Sequence, residues 1–279
     1  MKISELIERY IEASPEIRGT QLGVLKRMAK EPIGQCRAPL TAKNVIDHAK
    51  LRGRSVCAAT VNADIVYLRG MLDYAKHGLG IDNVTAQPVD DAMPILRRQR
   101  LVGESETRTR VPTQDEIKRI VARLKGIHAD VAAFQNESGR RIGETFRLQW
   151  GDLDTEKRTI LVRDLKHPRR KSGYNKRAAL PDAAFEIIMR QPRLSIMPEE
   201  RIFKGITAKA FQAAYRKACA AEGIEGLHLH DSRAAVVTRL LDAGYTEPQV
   251  MLVTLHDTAR MVRSRYNRLK ADDFPRRAA

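Results

Sequence analysis

Apolar residues in the first eighty positions recur at helical spacing. Ile3, Leu6, Ile7, Tyr10 and Ile11 mark an amphipathic helix that Ser14-Pro15 ends, and Leu22, Leu25 and Met28 mark a second. Thr41 can cap a third helix, which runs through Val45, Ile46 and Ala49. A fourth presents Val61, Ile65, Leu68, Leu72 and Ala75 on one face, with Gly78 and Gly80 ending it. From 81 to 112 the periodicity dissolves. Pro88, Pro94 and Pro112 punctuate a stretch made basic by RRQR at 97–100 and RTR at 108–110, which predicts a linker holding one short helix near 89–101.

Beyond the linker, Thr113 to Glu116 is a T-x-x-E capping box that opens a helix through Ile117, Ile120, Val121 and Leu124. A helix over about 128–138 closes at Gly139. Residues 159–162 and 177–180 read as strands joined by a hairpin dense in Lys and Arg. Helices follow at about 182–191, 207–222, 231–243, 247–255 and 258–270. The pattern predicts a mainly α chain in two domains: helical residues 1–80, the basic linker 81–112, and an α-rich domain 113–279 with a small antiparallel β-sheet.

Charge narrows the function. Lys and Arg number 50 against 34 Asp and Glu, a formal charge of +16. That excess suits a polyanionic partner, nucleic acid first, although ribosomal and membrane-surface proteins share it. A basic linker between two basic domains would suit a clamp around a duplex. The apolar stretches are too broken by charge to span a membrane, and the N-terminal helix does not read as a signal peptide. Cys36, Cys57 and Cys219 are widely spaced, which predicts ordinary thiols in a reducing cytoplasm with neither a disulfide framework nor a zinc site.

Four segments carry the candidate chemistry, in this order. The first is Ser138-Gly139-Arg140-Arg141-Ile142-Gly143-Glu144, followed by Leu148, Trp150, Asp152 and Asp154. The second is the hairpin from Asp164 to Gly173, with Lys166 and Lys171. The third is His230-Asp231-Ser232-Arg233, an H-x-x-R, with Asp231 as the expected helix N-cap. The fourth is Leu255-His256-Asp257, with Tyr266 ten residues further on. The ordered set resembles the tyrosine recombinase (phage integrase) family, and the resemblance spans essentially the whole chain, the first eighty residues being similar to the family's core-binding domain.

The resemblance implies a site-specific DNA recombinase that cleaves and rejoins strands through a 3′-phosphotyrosine. Tyr266 would be the nucleophile. Arg141 and Arg233 would hold the scissile phosphate, since a guanidinium offers paired donors and stays charged. His230 would take the base-like role that a phenol of pKa about 10 requires. His256 would hydrogen-bond the phosphate, and Lys166 would protonate the departing 5′ oxygen, with Lys171 as the alternative. Arg140 is expected to meet DNA or solvent, and Glu144 and Asp152 to hold the turn after the first box. Because the bond energy stays in the phosphotyrosine, no metal or nucleotide cofactor is implied.

The implied partners are double-stranded DNA at specific core sites and three further copies of the chain in a homotetramer, with a directionality factor as a possible addition. No separate arm-binding domain is expected. Three positions depart from the family pattern: Leu255 replaces a usual glycine, the interval from His256 to Tyr266 is one residue longer than usual, and Ala234 follows the H-x-x-R. A type IB topoisomerase and a DNA-binding protein on a decayed recombinase scaffold are the two competing readings.

Overall fold

The computed structural model describes residues 1–105, 108, 110–166 and 173–266, with backbone alone for 264–266. It forms two compact units, which divide between residues 107 and 108.

The first unit is helical: α1 (Ile3–Ala13), α2 (Gly19–Lys30), α3 (Pro32–Gln35), α4 (Ala42–Gly53), α5 (Ala58–His77) and α6 (Gln87–Arg98). Thr41 caps α4 by accepting from the Asn44 amide, as its sequence predicts. One core gathers Leu6, Ile7, Leu25, Met28, Val45, Ile65, Leu68 and Leu72. The helix within 81–112 belongs to this unit: α6 packs on α4 and buries Val89, Ala92 and Leu96. Its prolines obscure it in the sequence. Pro88 sits in the first turn, where no amide partner is needed, and only Pro94 removes a helical bond.

That core also contains charge. Asp64 is fully buried and accepts from Arg27 Nη2 (2.6 Å) and Arg52 Nε (2.9 Å). Arg27 also pairs with Glu31 at 2.7 Å. Beside them lies the buried ring of His48, with Nδ1 3.7 Å from Glu31. Burial lowers the His48 pKa below its ordinary 6.5, with Arg27 and Arg52 adding to the effect and Glu31 and Asp64 opposing it.

The second unit comprises α7 (Gln114–Arg123), α8 (Ile127–Ser138), α9 (Ile142–Thr145), a 3-10 turn at Trp150–Asp152, β1 (Leu153–Asp154), β2 (Thr159–Val162), β3 (Lys176–Ala179), α10 (Asp182–Met189), α11 (Ala208–Ala221), α12 (Asp231–Asp242), α13 (Glu247–Thr254) and α14 (Ala259–Tyr266). The strands form one antiparallel sheet in the order β1-β2-β3, with Ile160 opposite both Leu153 and Ala178. Helix α8 packs against α7, α10, α11 and α12, and its Val131, Ala132 and Phe134 are fully buried. Val236, Val237, Leu240, Val250 and Val262 form a smaller cluster that joins α12, α13 and α14. The fold is therefore mainly α with one small sheet. Among the described residues no helix is long and apolar enough to cross a membrane.

The buried His48 predicts acid sensitivity. The unfolded histidine takes up a proton near pH 6.5 while the folded ring resists it, so stability falls as pH drops below about 6.5 until the folded ring also protonates. Thermal unfolding of the full chain between about pH 7 and pH 5 should show this loss, and His48→Gln should flatten it. An unchanged pH slope in the variant would count against the burial argument.

Candidate active site

Gly139 ends α8 in a left-handed conformation, with φ +62°, and turns the chain into Arg140 and Arg141. A Cβ there would stand 3.3 Å from the Val236 side chain and 3.5 Å from Thr254 Cγ2, so both the conformation and the packing favour glycine. Arg141 precedes α9, and Glu144 folds back on it, accepting from the Arg141 amide (3.1 Å) and from Nη1 (2.8 Å). Burial would raise the Glu144 pKa, but Arg140, Arg141 and Arg233 together hold it below the usual carboxylate range. Asp152 is buried too and holds Arg163 through both of its oxygens.

Arg233 lies on the first turn of α12, and only 2% of it is exposed. Its Nη1 donates to the Gly139 carbonyl (2.8 Å) and its Nε to His256 Nε2 (3.2 Å). These bonds join three of the sequence segments, 94 and 23 residues apart. Thr254 Oγ1 donates to the Val250 carbonyl (2.8 Å) and lies 2.7 Å from His256 Nδ1. The Thr254 proton is committed to Val250, and an arginine nitrogen can only donate. The pattern therefore assigns the proton to His256 Nδ1 and leaves Nε2 as an acceptor.

A cleft of about 480 Å³ opens beside these groups, lined by Arg141, His230, Arg233, Gln212 and Arg216, among others. His230 is exposed at its rim. Arg141, His230, Arg233 and His256 are thus brought together. Lys166 is exposed on the first arm of the hairpin, whose base is tied by Leu165 N to the Tyr174 carbonyl (2.8 Å). Lys171 lies outside the described residues. Tyr266 closes the backbone of α14, and its side chain also lies outside the described residues.

Two sequence expectations change. Arg140 is not a solvent-exposed side chain: it is 2% exposed, donates through Nη2 to the Val253 carbonyl, and has Nε and Nη1 without hydrogen-bond partners among the described residues. Burial pulls its guanidinium down to about 10, with Glu144 opposing and Arg141 reinforcing, so it remains charged at neutral pH. Asp231 is not the N-cap of α12; His230 holds that position. The Asp231 carboxylate instead turns back to the His228 amide (2.8 Å).

Sequence reasoning missed three supports. Thr254 orients His256, and its only sequence signal is its place two residues upstream. Tyr174 and Lys176 both bond Asp257 Oδ1, at 2.8 and 2.7 Å, which ties the hairpin to the residue after His256. No local pattern marks a bond across 83 residues.

The phage integrase family profile matches residues 110–272, more than half of the 279. The chain belongs to the phage integrase family. A Haemophilus influenzae protein named as an integrase/recombinase is 25% identical over 256 residues, covering 85% of this chain and 77% of that one. Among solved structures, the Tn1549 transposon integrase in complex with circular intermediate DNA matches with a TM-score of 0.71 at 17% identity, covering 98% of this chain and 97% of that one. A lambda integrase dimer bound to a core site matches with the same TM-score at 16% identity, covering 96% of each chain. A lambda integrase tetramer bound to a Holliday junction matches at 0.71 and 16%, covering 93% of this chain and 78% of that one.

The Leu255 departure has a structural answer. Leu255 takes the left-handed conformation itself, with φ 54°, and buries its side chain in the second unit's core. Burial offsets the backbone strain, so Leu255→Gly should destabilise. Losing a buried leucine costs about 2–5 kcal/mol, against about 1–2 kcal/mol of strain relieved. Urea unfolding should show a net loss of about 2 kcal/mol. A more stable glycine variant would refute this account.

Proposed function

We propose that the chain is a site-specific DNA recombinase that cuts and rejoins strands through a 3′-phosphotyrosine on Tyr266. The observation that carries this reading is the convergence of Arg141, His230 and Arg233 at one cleft, with His256 bonded to Arg233. A phosphodiester under attack gains negative charge on its nonbridging oxygens, and fixed guanidiniums stabilise that charge without reorganising.

In the proposed step the Tyr266 hydroxyl oxygen attacks the scissile phosphorus and the bond to the 5′ oxygen breaks. His230 receives the phenolic proton, and Lys166 or Lys171 supplies a proton to the departing oxygen. Rejoining is the same step in reverse, with a 5′ hydroxyl as the attacking group. The +16 charge supports a DNA partner. The fold's likeness to a lambda integrase tetramer on a Holliday junction supports four copies acting together. Cytoplasmic action on the nucleoid accords with that partner.

A suicide DNA substrate carrying the recombination site, nicked so that the cleaved strand diffuses away and incubated with a metal chelator, tests the reading. A covalent adduct should form on Tyr266, located by peptide mapping, and Tyr266→Phe should abolish it. Tight site-specific binding with no adduct would support the decayed scaffold instead. Relaxation of supercoils by a monomer would support a topoisomerase.

A further inference from the structure

Arg108 is the first residue of the second unit and stands far in sequence from the cleft segments. Its Nε donates to Asp231 Oδ1 (3.2 Å), and its Nη2 to Asp231 Oδ2 (2.8 Å) and the Gly226 carbonyl (2.6 Å). Gly226 is in the left-handed region, with φ +64°, and begins the turn that leads into α12. Asp231 Oδ2 also accepts from the His228 amide. One guanidinium therefore holds both ends of the turn 226–231. His230 precedes Asp231 in that turn, and Arg233 follows two residues later.

Resting on the strand-transfer reading of the cleft, we propose that Arg108 is a positioning residue: through Asp231 it bonds the segment entering the second unit to the turn that presents His230 and Arg233. The Asp231 side chain is 6% exposed, so its carboxylate must be compensated where it stands. Burial pushes its pKa up, but the hydrogen bonds from Arg108 and the His228 amide, together with the Arg108 charge, outweigh that and hold it below the usual carboxylate value, so the group stays charged. The proposed phosphoryl chemistry gives Asp231 no task, so its charge serves the turn.

The Arg108 side chain is 43% exposed, so the pair contributes little to global stability and its effect is local. Two residues on, Arg110 pairs with Glu116 and donates to the Val111 carbonyl, which fixes the start of α7. Arg108 thus lies upstream of that anchor in sequence and bonds the turn that carries His230.

The test uses the full chain as Arg108→Ala, Arg108→Lys, Asp231→Asn and the double variant Arg108→Ala/Asp231→Asn. DNA affinity, single-turnover cleavage of the suicide substrate at saturating protein, melting temperature and hydrogen exchange over 226–233 are measured. Cleavage by Arg108→Ala should fall about tenfold or more, since small misplacements of reacting groups have large rate effects. Affinity should stay within about twofold and melting should barely change. Lysine should restore part of the rate, and the double variant should be no slower than the slower single. Exchange over 226–233 should rise without DNA.

Wild-type cleavage by Arg108→Ala overturns the proposal. So does a defect confined to affinity, which would make Arg108 a phosphate contact, or unchanged exchange in the turn. Should the wild-type chain form no adduct, the strand-transfer reading fails separately. Exchange then decides alone whether Arg108 holds the turn.

Discussion

The Arg233 guanidinium is a permanent cation held almost wholly out of water, and the second unit is organised around keeping it there. It bonds the carbonyl of Gly139 at the end of α8 and the ring of His256 beyond α13, so three distant segments meet on one side chain. A buried charge is tolerated only where other groups replace the lost solvent. Glu144 supplies the compensation and is shared with Arg140 and Arg141. Among the described residues Glu144 is set against the charges of Arg140, Arg141 and Arg233, so positive charge predominates there before any ligand arrives.

Such a site is rigid because its supports are apolar as well as polar. Helix α8, which ends at Gly139, is buried in the second unit's core, where the Phe134 and Phe203 rings pack at a tilt of 47° with centroids 5.0 Å apart. The valine cluster fixes α12, α13 and α14 to one another, so the helix that ends at Tyr266 is anchored through Val262 to the helix that carries Arg233. Asp257 fastens the hairpin to the same region through Tyr174 and Lys176. Misalignment of any one support would be felt at His256 or Arg233, because neither has slack to absorb it.

The helices were legible wherever a clean apolar stripe met a capping residue, as in α4 behind Thr41 and α7 behind Thr113. Helix α6 was blurred because Pro88 and Pro94 break the composition without breaking the helix. Strand β1 is two residues long and follows from pairing with β2, which no local pattern announces. Arg141, His230, Arg233 and His256 stand out in the sequence as candidates because their motifs are local. Arg140 was misread because arginine is usually solvated, and its burial follows from the tertiary packing of α13 over the first box. Asp231 was misread for a similar reason: a cap is assigned from the helix ahead, whereas its bonds run backward to His228 and across to Arg108.

Thr254 shows how the site can change protonation without changing shape. In the described state His256 Nε2 accepts from Arg233 and Nδ1–H donates to Thr254. On the proposed reading, an incoming phosphate competes for the Arg233 guanidinium and brings negative charge beside the ring. That charge favours a proton on Nε2, which would then donate to a phosphate oxygen. Nothing need move at Nδ1, because Thr254 spends its own proton on the Val250 carbonyl and accepts from the ring in either state. The same hydroxyl therefore fixes the ring plane before and after protonation. Arg233 and His256 can then shift from bonding each other to bonding one anion, with the backbone of α12 and α13 left in place.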